Sequence, residues 1–184
     1  MSERASEPMS PSGPVVLLGL MATGKSTIGA LVAERLGRPL LDSDEQILAR
    51  TGRTVRQLVD DGGPDAHREL ESAVLLDALA RPDPVVVAAA AGVVLDPVVV
   101  DALACLDGTV VWLRADPTVL AERVADGDHR PPIPGDAGAW LAAAHAERAP
   151  RYVAVADLVV DVDGVPAAVL AERIVTHVSA GASR

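Results

Sequence analysis

The sequence predicts an α/β fold: one five-stranded parallel sheet with helices on both faces, a three-layer α/β/α architecture. Three observations carry this. Short continuous apolar runs recur along the chain, as expected of strands buried on both faces. Each run is followed by a segment with apolar residues at helical spacing or with a helix start signal. Strands that alternate with helices are joined by crossovers, which make the sheet parallel and the connections right-handed.

The first run, 14–18, ends at Gly19. A helix follows over 25–36, with Ile28, Leu31, Val32 and Leu36 on one face and Gly37 as its stop. Leu40 and Leu41 form a brief second strand. Short helices over 45–50 and 55–59 are separated by Gly52, and 61–64 (Asp-Gly-Gly-Pro) read as a turn. A longer helix over 65–80 presents Leu70, Ala73, Val74, Leu76 and Leu79. The third strand is 85–88 and the fourth 109–113. Asp96-Pro97 and Asp116-Pro117 each supply a capping Asp and a Pro at the first helical position, the second opening a helix through 125. Residues 126–136 are polar and rich in Gly and Pro, a loop and a candidate mobile lid. A helix over 137–148, a fifth strand over 158–162 and a closing helix over 165–178 complete the chain. Residues 1–13, rich in Ser, Pro and Glu, read as a flexible tail, which leaves 14–184 as one domain.

Composition narrows the function classes. The 184 residues carry a net charge of −10, which speaks against a nucleic-acid partner. No apolar stretch approaches the roughly 18 residues of a membrane helix, and the N-terminus lacks the apolar core of a signal peptide, so a cytoplasmic protein with no membrane partner is expected. There is no Phe, and the aromatics are Trp112, Trp140 and Tyr152, so the core falls to Ala, Val, Leu and Ile. Cys105, the one cysteine, lies in an apolar stretch and reads as a small buried hydrophobe. His129, His145 and His177 have no metal-ligand spacing.

Residues 19–26, Gly-Leu-Met-Ala-Thr-Gly-Lys-Ser, fit G-x-x-x-x-G-K-[ST] between the first strand and the first helix. Such a loop wraps its backbone N–H groups around phosphate, and the helix N-terminus adds partial positive charge. Gly19, Ala22, Thr23, Gly24, Lys25, Ser26 and Thr27 are therefore the candidate ATP-binding set, with Lys25 on the β- and γ-phosphates and Ser26 on Mg²⁺. Lys25 is the only lysine among 16 basic residues. Arginine has replaced lysine everywhere except where a compact point charge fits between phosphates. Asp42 and Asp44 follow the second strand, at the sheet end where ligands bind. One suits a hydrated Mg²⁺ and the other the attacking hydroxyl, and the same pair reads equally as a helix N-cap with an acidic first turn.

Together these segments resemble shikimate kinase, a relative of the nucleoside monophosphate kinases. The resemblance runs through 24–29, 41–44, Thr51-Gly52-Arg53, the R-x-x-E of Arg68 and Glu71, 110–113, Arg130-Pro131 and the R-x-x-x-Y of Arg148 and Tyr152. It implies a P-loop kinase fold with a small lid, using ATP and Mg²⁺ to convert shikimate, or a close hydroxy-acid analogue, to its 3-phosphate. It also implies that Asp44 holds the acceptor hydroxyls, that Arg68 and Arg148 clamp its carboxylate beside Ala91 and Gly92, and that Arg130 reaches the transferring phosphate. Arg123 would lie against adenine, and Ser26 and Asp42 would position Mg²⁺. A monomer with a small-molecule partner is expected.

The sequence departs from the family in several places. Three glycines after the third strand become Ala90-Ala91-Gly92, which predicts a narrower pocket or a backbone barred from positive φ. A phosphate-loop glycine becomes Ala22. A phenylalanine becomes His67, either a half-buried filler or a contact to the acceptor. An acidic position becomes Pro64, and two leucines after Arg130 become Pro132 and Ile133. The alternative function is a nucleotide-binding module with altered or lost acceptor activity. A nucleoside monophosphate kinase fits less well, because the Asp42–Asp44 segment suits a polyol ring.

Overall fold

A computed structural model describes residues 13–63, 65–124, 133 and 135–181. Five parallel strands, β1 (Val15–Leu18), β2 (Leu40–Asp42), β3 (Val86–Ala88), β4 (Thr109–Arg114) and β5 (Leu158–Asp161), form one sheet in the order β2-β3-β1-β4-β5. Among the described residues eight α-helices cover it: α1 (Lys25–Leu36), α2 (Ser43–Thr51), α3 (Val55–Gly62), α4 (Arg68–Leu79), α5 (Pro97–Ala104), α6 (Pro117–Val124), α7 (Ala137–Val155) and α8 (Ala167–Gly181). The strand order reverses beside β1, so the loop after β1 lies at the switch point where such sheets bind ligands.

Alternation along β1 builds the layers. Val15 and Leu17 point into one core, with α1, α8 and Leu120 of α6. Val16 and Leu18 point into the other, with Leu75 of α4, Val99 and Leu103 of α5, and Tyr152. All four are fully buried, which is why β1 is apolar at every position. Trp112 belongs to the second core, stacked on Tyr152 at 5.6 Å. Gly29 lets α1 approach the sheet, since a Cβ there would meet Leu40 Cδ1 at 3.0 Å. A third small cluster, Ile47, Val55 and Val74, fixes α2 and α3 against α4.

Four expectations change. Asp61 and Gly62 are helical, because α3 runs on to its C-cap at Gly63; of the expected 61–64 turn, Pro64 lies outside the described residues. Residues 65–67 are a turn, so α4 begins at Arg68. The helix expected to stop at Arg148 continues through Pro150 to Val155. Tertiary contacts hold that extra turn: Tyr152 is buried and its hydroxyl donates to the Ala91 carbonyl at 2.7 Å, while Arg151 donates to Val94 and Leu95. Cys105 is exposed, because α5 ends at Ala104 and leaves the thiol off its buried face of Val99 and Leu103. The two Asp-Pro starts hold: Asp96 caps the Val98 N–H and Asp116 that of Thr118. Among the described residues no helix is long and apolar enough to cross a membrane. Residues 1–12 and 125–132, with Arg130 and most of the expected lid, lie outside the described residues.

Candidate active site

A cavity of about 340 Å³ opens beyond the carboxyl ends of β1, β2 and β3. It gathers Lys25, Ser26, Asp42, Asp44, Arg68, Ala91, Gly92 and Arg148, eight of the residues singled out from sequence. Gly19, Ala22, Thr23 and Gly24 form the curl of the loop, and Thr27 is exposed on α1; none of the five lines the cavity.

The loop is held from within. Thr23 Oγ1 donates to the Leu20 carbonyl at 2.9 Å. Lys25 is buried and its Nζ donates to the carbonyls of Gly19 and Leu20 at 2.9 and 2.8 Å. Gly24 turns the chain into α1 with φ 89°. Ala22 is the only non-glycine with positive φ among the described residues, at 62°. A methyl group there costs about 1–2 kcal/mol against glycine's smaller entropic cost of about 0.5–1 kcal/mol. Ala22→Gly is accordingly expected to raise Tm by up to about 4 °C, measured by calorimetry; an unchanged or lower Tm would show the loop to be unstrained.

Asp42 serves as the expected N-cap and also meets the Ser26 hydroxyl. Its Oδ1 accepts the Asp44 N–H at 3.0 Å, the N-cap of α2, and its Oδ2 accepts Ser26 Oγ–H at 2.5 Å. The cap starts α2 at Ser43, two residues before the expected start. The Ser26 hydroxyl and Asp42 carboxylate form an adjacent oxygen pair, a donor set that fits Mg²⁺. Among the described residues no group of three His, Cys, Asp or Glu forms, so the cation's other ligands would be water and phosphate oxygens. Arg123 reaches the outer side of the loop, with Nη1 donating to the Ala22 carbonyl at 3.4 Å and Nη2 3.7 Å from Asp163.

The opposite wall carries the arginines. Arg148 is buried on α7, its guanidinium carbon 5.8 Å from the Trp140 ring centre and its Nη1 3.5 Å from the Ala91 carbonyl. Its Nε is buried without a hydrogen bond. Arg68 opens α4 and donates from Nε to Asp65 at 2.5 Å. Ala90 and Ala91 have negative φ, so no barred backbone arises, and both line the cavity. Gly92 survives for space: at φ −86°, a Cβ there would meet Glu71 Oε2 at 3.0 Å and Arg68 Nη1 at 3.7 Å.

Glu71 and Trp140 also line the cavity, and neither was assigned there from sequence. The R-x-x-E spacing was the available signal for Glu71, since three residues on a helix return to the same face. Burial first, and the Asp44 charge second, push Glu71 up to about 7, against the pull of Arg68, Arg148 and Lys25. Burial also lowers His67, with Arg68 acting in the same direction. The unfolded chain returns Glu71 to its ordinary 4.5, so between 4.5 and 7 the folded state binds more protons. Stability from this group is therefore complete below 4.5 and falls as pH rises to 7, by about 3 kcal/mol in total. Glu71→Gln removes that titration. Urea midpoints should show the variant gaining on the parent between about pH 5 and pH 8, and a pH-independent difference would refute this.

The family model described as shikimate kinase matches residues 21–179. The chain is 40% identical over 162 residues to the shikimate kinase of Halorhodospira halophila, covering 88% of this chain and 90% of that protein. It is 38% identical over 164 residues to that of Moorella thermoacetica, covering 88% and 92%. Among solved structures, the shikimate kinase from Acinetobacter baumannii in complex with shikimate superposes with a TM-score of 0.85 at 27% identity, covering 93% of this chain and 96% of that one. The gluconokinase from Sinorhizobium meliloti, at 24% identity and a TM-score of 0.57, covers 95% and 93% and shares the fold.

Proposed function

The chain belongs to the shikimate kinase family, and from that premise we propose that it transfers a phosphoryl group from ATP to a ring hydroxyl of shikimate. One observation supports this most directly. Lys25 and Ser26 of the phosphate loop, Asp44 and the Arg68–Arg148 wall bound the same cavity. A cyclic hydroxy acid is the acceptor class this suits: planar guanidinium forks for the carboxylate, a carboxylate for the hydroxyls.

The residues divide the task. The loop N–H groups and Lys25 bind the phosphates, and Lys25 exchanges its two carbonyl partners for phosphate oxygens. Arg123 is assigned to the base and Arg130 to the transferring group. Asp44 orients the acceptor hydroxyl by accepting its proton in a hydrogen bond. Arg68 and Arg148 fix the acid end, so that reacting atoms meet in one orientation. Mg²⁺ held through Ser26 and Asp42 would supply charge neutralisation at the phosphates. The proposal includes a cytoplasmic monomer whose partner is the small acid alone; the net charge of −10 weighs against nucleic-acid and anionic-membrane partners.

The test mixes protein, MgATP and a panel of cyclic hydroxy acids and follows ADP and phosphorylated product. Shikimate-dependent ADP release supports the proposal. Release with a different acid reassigns the acceptor. ATP binding without release across the panel makes the chain a nucleotide-binding module.

A further inference from the structure

The back of the acceptor pocket holds a pair that the phosphoryl-transfer roles leave unused. His67 and Glu71 stand one helical turn apart, the first immediately before α4 and the second inside it, and both line the cavity. His67 Nε2 is 3.5 Å from Glu71 Oε1, close enough for strong coupling and one small shift from a hydrogen bond. The other ring nitrogen, Nδ1, is buried without a partner. Glu71 is buried as well, with Oε2 packed toward Gly92.

Charged groups face this pair from every side. Arg68 and Asp65 lie on its own segment, Asp44 comes from α2, Arg148 from α7 and Lys25 from α1. The arginines and the lysine oppose a proton on Glu71, and Asp44 favours one. An extra proton has two seats, a Glu71 oxygen or His67 Nδ1. In either seat the pair becomes net neutral: a carboxylic acid beside imidazole, or imidazolium beside carboxylate. Its charge without that proton is −1.

We propose that the His67–Glu71 pair takes up a proton when an anionic acceptor seats its carboxylate on Arg68 and Arg148, so that this pair sets the pH dependence of acceptor affinity. The inference rests on the acceptor reading above. The physical cause is field neutralisation. The incoming carboxylate brings one negative charge beside Glu71, which offsets part of the two guanidinium charges that oppose the proton. Glu71 is buried and His67 half-buried, so the pair feels that change more strongly than exposed groups would. A group that titrates near neutrality before binding then binds protons more tightly in the complex.

Calorimetric titration of shikimate into the full chain at pH 7, in buffers of different ionisation enthalpy, counts the protons. The wild type should take up about half a proton per acceptor, and its acceptor Kd should weaken about tenfold from pH 6 to pH 9. Glu71→Gln should bind with no uptake and a flat pH profile over that range. The carboxamide of the same acid, titrated into the wild type, should also bind without uptake, so the comparison holds even if the variant folds poorly. Buffer-independent heats with the wild type, or equal uptake by Glu71→Gln or with the carboxamide, would overturn the proposal while leaving the kinase reading intact. Failure of the wild type to bind or phosphorylate any hydroxy acid overturns both.

Discussion

Lys25→Ala is expected to reduce kcat by about 10²–10³-fold or more, the effect of removing one preorganised charge from a phosphoryl-transfer site. The structure gives the reason. Lys25 is the first residue of α1, buried at the base of the loop, and its ammonium is held by two backbone carbonyls 2.9 and 2.8 Å away. In the proposed mechanism those carbonyls hold the charged group in place until phosphate replaces them. Alanine removes the charge at the point where negative charge must be stabilised, and no other lysine exists to substitute. Steady-state ADP release with shikimate is the measurement. Arginine at this position should fail as well, because a planar fork cannot enter a space built for a point charge. Turnover within tenfold of the parent would remove Lys25 from the mechanism.

Arg148→Ala should raise the acceptor KM by about 30- to 1,000-fold, corresponding to about 2–4 kcal/mol for truncating a desolvated charge pair, with the ATP KM changed far less. Arg148 differs from Arg68 in how it is held. It is 8% exposed, lies against Trp140 and approaches the Ala91 carbonyl, so its fork is fixed before any ligand arrives. Arg68 is more exposed and partnered by Asp65, an ion pair that a ligand carboxylate must displace. Arg68→Ala is accordingly expected to show the smaller KM effect. Arg148→Lys should recover only part of the loss, since lysine keeps the charge and lacks both the fork and the stacking face. Separate KM values for acceptor and ATP test this; equal increases in both would mean a structural collapse of the pocket.

Much of this was legible in the chain. The β1–loop–α1 unit could be read because its signals are local: an apolar run, a glycine-flanked loop and a helical stripe. Asp42 and Asp44 could be placed because strand ends dictate where ligand-facing residues fall. The end of α7 was not legible: the residues after Arg148 include Pro150, a helix breaker in isolation, and the anchoring of Tyr152 and Arg151 on the segment after β3 carries the helix on to Val155. Cys105 misled because an apolar neighbourhood in sequence says nothing of where a helix stops.

What the sequence determined by itself was the three-layer arrangement, the loop between β1 and α1 and the place of its one lysine, since each follows from residue type and spacing along a few turns. Tertiary structure decided the rest of the pocket. It gave Gly92 its steric reason, turned Ala90 and Ala91 into ordinary backbone, and buried Glu71 among Asp44, Arg68, Arg148 and Lys25. Those are contacts between helices far apart in the chain, and the field at a buried carboxyl is a sum over neighbours that no local pattern records.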